Sequence, residues 1–261
     1  MGLIKFGPAG LGPVNTAEET LEKYKSLGFE ACEIAFTYGI YIKNRYDAER
    51  IKNKAKECKI KLSIHSPYYI NLNSEEIEKR ESSKKRIIDC CEIGEALGAT
   101  AVVFHPGFYG KNKESAFKII KKEVMEIMKE IKKNKWKIKI AAETTGKINV
   151  FGSLEEIHEL VKETGCSFCI DFAHILAREK IVKYEKIFNL FKEKEVHCHF
   201  SGIEYGDKGE KSHKKTKKEE WEELLTNLPK DRDITIINES PYPIEDSILG
   251  IQIYNKEIKR S

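Results

Sequence analysis

Ala101-Val102-Val103-Phe104-His105 is a short apolar run that stops on an imidazole. Five other runs end the same way on a side chain that can bind a metal. Ile64 leads into His65, Ile138 to Ala142 into Glu143, and Phe168-Cys169-Ile170 into Asp171. Val196 to Cys198 leads into His199, and Ile234 to Asn238 into Glu239. A helix-like stretch separates each run from the next. Short apolar runs alternating with helices indicate parallel strands buried on both faces. Right-handed crossovers then put all the carboxyl ends on one face. The pattern predicts a (β/α)8 TIM barrel whose mouth, the usual place for barrel chemistry, carries three imidazoles and three carboxylates.

Punctuation fills in eight strand–helix units. The first strand lies near Ile4 to Phe6 and the second at Ala31 to Phe36. Thr16 with Glu19 suggests a capping box for the first helix, which ends near Gly28. Asp47 is the expected cap of the next helix. A long helix is expected from Ser74 to Leu97, stopped by Gly98, and another from Glu114 to Lys133. Ser153 opens a helix that stops near Gly165, and a further one covers Val182 to Lys192. Gly202 to Lys217 reads as a long glycine- and lysine-rich loop before a helix around Trp221. A last helix spans Ile244 to Lys256. No repeat or linker divides the chain, so residues 1–261 are expected to form one barrel domain.

Composition narrows the class. The 46 basic and 42 acidic residues leave a net charge of +4, which neither demands nor excludes nucleic acid. No apolar run reaches the ~18 residues of a membrane span, and Met1 to Lys5 shows no signal-peptide pattern. A cytoplasmic protein without a membrane partner, expected to be a monomer, follows. The seven cysteines are scattered, and the lone Cys166-x-x-Cys169 has no second pair to complete a zinc knuckle. They read as buried thiols of a reducing compartment.

Two more imidazoles belong to the mouth. His174 lies three residues after Asp171, and His213 lies in the long loop after the seventh strand. Eight candidate ligands exceed the three protein ligands of a single catalytic zinc. They suit two or three clustered ions, the arrangement that clamps both oxygens of a phosphoryl displacement. His197, two residues before His199, shares its strand face one layer deeper and is expected to pack behind the site. His158 is expected to face solvent.

The segments His65-Ser66-Pro67-Tyr68-Tyr69-Ile70-Asn71-Leu72, Phe104-His105-Pro106-Gly107, Ala142-Glu143-Thr144-Thr145-Gly146, Cys169-Ile170-Asp171-Phe172-Ala173-His174 and Asn238-Glu239-Ser240-Pro241 resemble the endonuclease IV family. The likeness spans nearly the whole chain in family order. It implies an apurinic/apyrimidinic endonuclease with a zinc cluster of two or three ions, manganese being the alternative metal. His65 and His105 would hold one ion, and Glu143 would be catalytic and bridge to a second. Asp171, His199 and Glu239 would complete the second, and His174 and His213 would hold the third. The implied reaction cleaves the phosphodiester 5′ to an abasic site in duplex DNA and leaves a 3′-hydroxyl. Tyr68 and Tyr69 occupy the family's DNA-probing loop, where aromatic rings stack on bases. Lys208, Lys211, Lys214, Lys215, Lys217 and Lys218 add a basic loop able to meet phosphate.

The chain departs from the family at one point. Lys211 stands two residues before His213, where the family carries an aspartate, and Glu210 lies one residue further back as the candidate third-metal ligand. Glu143, Asp171, His199 and Glu239 by themselves also match a single-metal sugar isomerase or ketose epimerase, in which two glutamates would exchange a proton. His65, His105 and His174 are surplus to that chemistry. A non-catalytic metal or nucleic-acid binding protein is the third reading.

Overall fold

The computed structural model describes residues 2–258. Eight parallel strands form the barrel: β1 (Ile4–Pro8), β2 (Ala31–Ala35), β3 (Lys61–His65), β4 (Ala101–Phe104), β6 (Lys139–Glu143), β8 (Ser167–Asp171), β9 (Glu195–Phe200) and β12 (Asp233–Asn238). Two short antiparallel ribbons sit above it. One pairs β5 (Gly107–Phe108) with β7 (Val150–Phe151), and the other pairs β10 (Gly202–Gly206) with β11 (Gly209–Lys214). The helices are α1 (Ala17–Ser26), α2 (Arg45–Cys58), α3 (Ile77–Leu97), α4 (Lys113–Lys133) and α5 (Leu154–Thr164). They continue with α6 (Phe172–Glu179), α7 (Tyr184–Leu190), α8 (Lys218–Asn227) and α9 (Pro243–Ile253). None of the described helices is long and apolar enough to cross a membrane.

The parallel sheet runs β1-β12-β9-β8-β6-β4-β3-β2. A single Ala9–Glu33 bridge joins its two ends. The Glu30 amide donates to the Phe6 carbonyl at 3.1 Å and the Gly10 amide to the Glu33 carbonyl at 2.8 Å. Side-chain alternation divides the apolar residues between two layers. Val102 and Phe104 face the helices, in the large core that also holds Ile34, Ile64 and Ile170. Ala101, Val103, Ala141 and Cys169 face the lumen and form a separate small cluster. These lumen side chains are small, so there is space beside them for polar groups.

Several local expectations change. Thr16 makes no side-chain cap, because a 3-10 turn at Val14–Thr16 precedes α1 and its hydroxyl turns back to the Pro13 carbonyl. Asn44, not Asp47, caps α2: its side chain accepts from the Asp47 amide at 2.8 Å. The stretch expected to be one helix from Val182 is preceded by α6, which ends where Lys180 turns left-handed at φ 65°. Most of the Gly202–Lys217 segment is no loop but the β10–β11 hairpin, which ends at Lys214. His158 is half-buried, with its ring edge-on to Phe191 rather than facing solvent. The seven cysteines are free and buried, as expected.

The seam between β1 and β2 depends on Gly7. A Cβ there would lie 1.9 Å from the Ala31 carbonyl oxygen, a backbone atom that cannot swing aside. Gly7→Ala is therefore expected to cost at least about 2 kcal/mol, toward the upper end of overpacking penalties. Urea denaturation measures this, and an unchanged midpoint would show that the seam tolerates separation.

Candidate metal centre

The six strand-end residues converge as the barrel requires. His65, Glu143 and Asp171 are the last residues of β3, β6 and β8. His105 and Glu239 stand one residue past β4 and β12, and His199 is the penultimate residue of β9. His174 enters from the first turn of α6. Asp171 caps that helix: its Oδ1 accepts from the His174 amide at 2.7 Å, so one carboxylate sets the position of the other side chain.

Glu143 is at the centre and fully buried. Its Oε2 lies 3.1 Å from His65 Nε2 and 2.9 Å from His105 Nε2. Its Oε1 lies 2.9 Å from His199 Nδ1 and 3.4 Å from His174 Nδ1. His199 Nδ1 is also 3.4 Å from Glu239 Oε2. Among the described residues, the groups whose ligand atoms lie within 4.8 Å of one another and could hold an ion include His65–His105–Glu143, Glu143–Asp171–His199–Glu239 and Asp171–His174–His213, and also the overlapping His65–His199–Glu239 and Cys169–His197–His199. The first two bring together the residues that the resemblance implies for two ions, and the third adds Asp171 to His174 and His213.

The donor chemistry fits cations. Asp171 Oδ2 and His105 Nε2 are buried without a hydrogen-bond partner. The Nε2 atoms of His174 and His213 face each other at 3.2 Å. Orphaned buried polar atoms are costly, and a set of N and O donors is suited to zinc. Burial opposes charge on Glu143, yet His199 and His105 outweigh it and hold the carboxyl well below its usual range. Burial also opposes charge on His65, but Glu143 pushes this imidazole up to about 9. His174 and His199 stand well above the usual imidazole range despite burial, through Asp171 and through Cys169 and Glu239 respectively. Asp171 moves upward, chiefly by burial. Protons thus neutralise the acids wherever a cation does not.

The Lys211 departure has a structural answer. The β10–β11 register pairs Ile203 with His213 and Glu204 with Ser212, then shifts so that Tyr205 pairs with Glu210. Lys211 is the extra residue of this β-bulge. It is exposed and lies 3.7 Å from Glu204. The bulge gives Glu210, three residues before His213, the inward position that a regular strand would give to Lys211, two residues before it. Glu210 lies 3.5 Å from His174 Nε2 and 3.9 Å from His213 Nε2. Gly146 makes room, since a Cβ there would meet the Glu210 Cβ at 2.7 Å. His213 is steadied by Ser201 Oγ at 3.1 Å from its Nδ1.

Sequence reasoning missed Glu33. It lies mid-β2, fully buried in the lumen, 2.9 Å from His199 Nε2 and 3.1 Å from His197 Nε2. The signal was available: Glu33 is the one charged residue in Ala31-Cys32-Glu33-Ile34-Ala35. His197 packs behind the site as expected. Tyr68 and Tyr69 are half exposed at the rim. The Tyr68 ring centroid lies 4.8 Å from that of His65, and Arg86 stands over Tyr69 at 4.8 Å. A cavity of about 360 Å³ opens beside them, lined in part by His105, Lys147, His174 and Glu210.

A family model described as Xylose isomerase-like TIM barrel matches residues 21–247. An uncharacterized protein of Methanocaldococcus jannaschii is 34% identical over 97% of this chain and 98% of its own length. A probable endonuclease 4 of Thermoplasma volcanium is 33% identical, but over 44% of this chain and only 40% of its own length. Among solved structures, SacUVDE superposes with a TM-score of 0.76 at 13% identity, covering 98% of this chain and 99% of that one. Endonuclease IV from Thermus thermophilus gives 0.74 at 20% identity, covering 98% and 100%. D-psicose 3-epimerase gives 0.70 at 16%, covering 96% and 98%. At these identities the structural likeness shows the fold alone.

Two expectations follow from the geometry. His65 keeps its proton up to about pH 9, so zinc must displace it. Zinc affinity should rise with pH up to that value, and uptake should release protons. Calorimetry near neutral pH in buffers of different ionisation enthalpy tests this, and uptake without proton release would contradict it. Glu210→Gln should lower the bound metal by one ion per chain, while Lys211→Ala should leave it unchanged. Elemental analysis giving the reverse order would mean that the bulge does not present Glu210 to a metal.

Proposed function

The chain belongs to the xylose isomerase-like TIM barrel family, and from that premise we propose a metal-dependent endonuclease that hydrolyses the phosphodiester 5′ to an abasic site in duplex DNA. One observation carries the reading. The two oxygens of Glu143 serve different donor groups, Oε2 facing His65 and His105, and Oε1 facing His199 and His174. A carboxylate so placed would offer one oxygen to each of two ions. The probable endonuclease 4 relatives, matched over about half of this chain, support the nuclease assignment.

Zinc bound there would polarise a phosphate oxygen and activate water near neutral pH. The residues of the chain supply position and selection. Glu143 and Asp171 would be among the residues that hold the ions, and Asp171 also fixes α6 and with it His174. His213 and Glu210 close the side of the mouth nearest the hairpin. Lys147, on the wall of the cavity, offers charge to a phosphate. The Tyr68 ring lies against His65 and His105, its centroid 4.8 and 5.8 Å from theirs, so a nucleotide reaching these ligands would pass it. An abasic nucleotide lacks stacking and is cheap to extrude, which makes the rim tyrosines the natural selectors.

A ketose epimerase is the second reading, because Glu143, Asp171, His199 and Glu239 form a single-ion group without help. That chemistry leaves the ordered His65–His105 face of Glu143 with no task.

A duplex with one abasic site should be nicked 5′ to the lesion, leaving a 3′-hydroxyl, and Glu143→Gln should bind at least one ion fewer and nick nothing. Ketose turnover without nicking would overturn the assignment. Tyr68→Ala with Tyr69→Ala should keep the full metal complement but weaken abasic-duplex binding by roughly 2–4 kcal/mol, about two stacking contributions. Intact duplex, held mainly by charge, should be little affected. Equal losses on both duplexes would show that the tyrosines merely pack the rim.

A further inference from the structure

Below the mouth, Glu33, Ser63 and His197 form a polar group that the proposed chemistry does not use and that abuts the candidate ligand His199. Glu33 and Ser63 are direct partners across the β2–β3 ladder, and the Ser63 hydroxyl donates to Glu33 Oε2 at 2.7 Å. His197 and His199 share the inner face of β9 two residues apart. His197 Nε2 lies 3.1 Å from Glu33 Oε2, and His199 Nε2 lies 2.9 Å from Glu33 Oε1. Glu33 Oε1 and His199 Nε2 are nevertheless left without an aligned hydrogen bond. They are poised to pair rather than fully paired.

We propose that Glu33, held by Ser63 and His197, is a positioning residue that fixes the orientation and tautomer of His199 and thereby sets the affinity of the Glu143–Asp171–His199–Glu239 group for its ion. The inference rests on the metal-centre reading above. A nitrogen that gives its lone pair to a metal carries no proton, so the imidazole proton must sit on the other nitrogen. His199 Nδ1 points at Glu143 and Glu239, and Nε2 points at Glu33. A carboxylate at 2.9 Å from Nε2 selects the tautomer that leaves Nδ1 free. Half a turn of the ring would put carbon atoms against the carboxylates on both sides.

Stability alone does not account for Glu33. A fully buried carboxylate is costly to desolvate, and an apolar side chain of similar volume in such a place is often neutral or stabilising. Carboxylate partners behind a ligating histidine raise metal affinity by roughly 10–100-fold. Ser63 and His197 both fix Oε2, which leaves Oε1 aimed at His199 without freedom to turn.

Zinc competition against a chromogenic chelator, on the full chain, tests the proposal without reference to cleavage. Glu33→Gln keeps the volume and should weaken one zinc by about 10–100-fold, with the remaining ions unaffected. Cobalt substitution should show an altered visible spectrum for that one ion. His197→Gln, which removes one of the two groups steering Glu33, should shift zinc affinity in the same direction by less, and it covers the case in which Glu33→Gln does not fold. Thermal melts of the metal-free chains separate the roles, since a positioning residue leaves them within a few degrees of wild type. Wild-type zinc affinity and cobalt spectrum in both variants would overturn the proposal while leaving the metal centre standing. A wild-type chain that binds no zinc would overturn both.

Discussion

Charge neutrality inside the barrel is the constraint on which the rest of this structure depends. Glu143, Asp171 and Glu239 bring carboxylate oxygens within 4.8 Å of one another, with almost no access to solvent. At an effective dielectric of about 20, two such charges repel by about 3–4 kcal/mol. Three pairs sum to roughly 10 kcal/mol, as much as the whole stability of a typical domain. The cluster persists only because positive charge is threaded through it. Imidazoles supply that charge as protons, and the donor geometry offers the same place to divalent ions. The neighbouring elements follow from this. Small lumen residues leave space for the acids, β8 hands its final carboxylate to the start of α6, and the hairpin bends to bring in Glu210.

The strand-to-helix junctions show how fold and chemistry share residues. Asp171 ends a strand, caps a helix and faces the centre of the cluster. His65 ends β3 while its Nδ1 lies 2.7 Å from the Ser66 carbonyl, which fixes the ring before the chain leaves the barrel for the tyrosine loop. Thr144, next to Glu143, accepts the Asp171 amide at 2.9 Å and so ties β6 to β8 at the level of the candidate ligands. The site is built on the ends of rigid strands, which suits a cluster whose donors must hold a fixed separation.

The fold was legible because an apolar run ending on a ligand is a strong pattern when six copies recur in order. His65, His105, Glu143, Asp171, His199 and Glu239 all sit where that pattern puts them. Features set by backbone detail were not legible. The bulge at Lys211 cannot be seen in Gly209-Glu210-Lys211-Ser212-His213, because one unpaired residue leaves no mark in composition. Without it Lys211 occupies the ligand position and the third group looks broken. The hairpin reads as a loop in the sequence because its lysines hide the alternation of a strand. Asn44 competed with Asp47 for one helix end, and propensity does not separate them. Glu33 is not legible from strand ends, because its partner His199 reaches down to the middle of β2.

The central claim is that this barrel mouth holds a cluster of ions rather than one. Anomalous diffraction at the zinc edge, from crystals of the zinc-loaded chain, tests it most directly. The account predicts two or three peaks a few ångströms apart, with Glu143 between two of them and Glu210 beside a third if three are present. A single peak among Glu143, Asp171, His199 and Glu239, with none near His65 and His105, would contradict it.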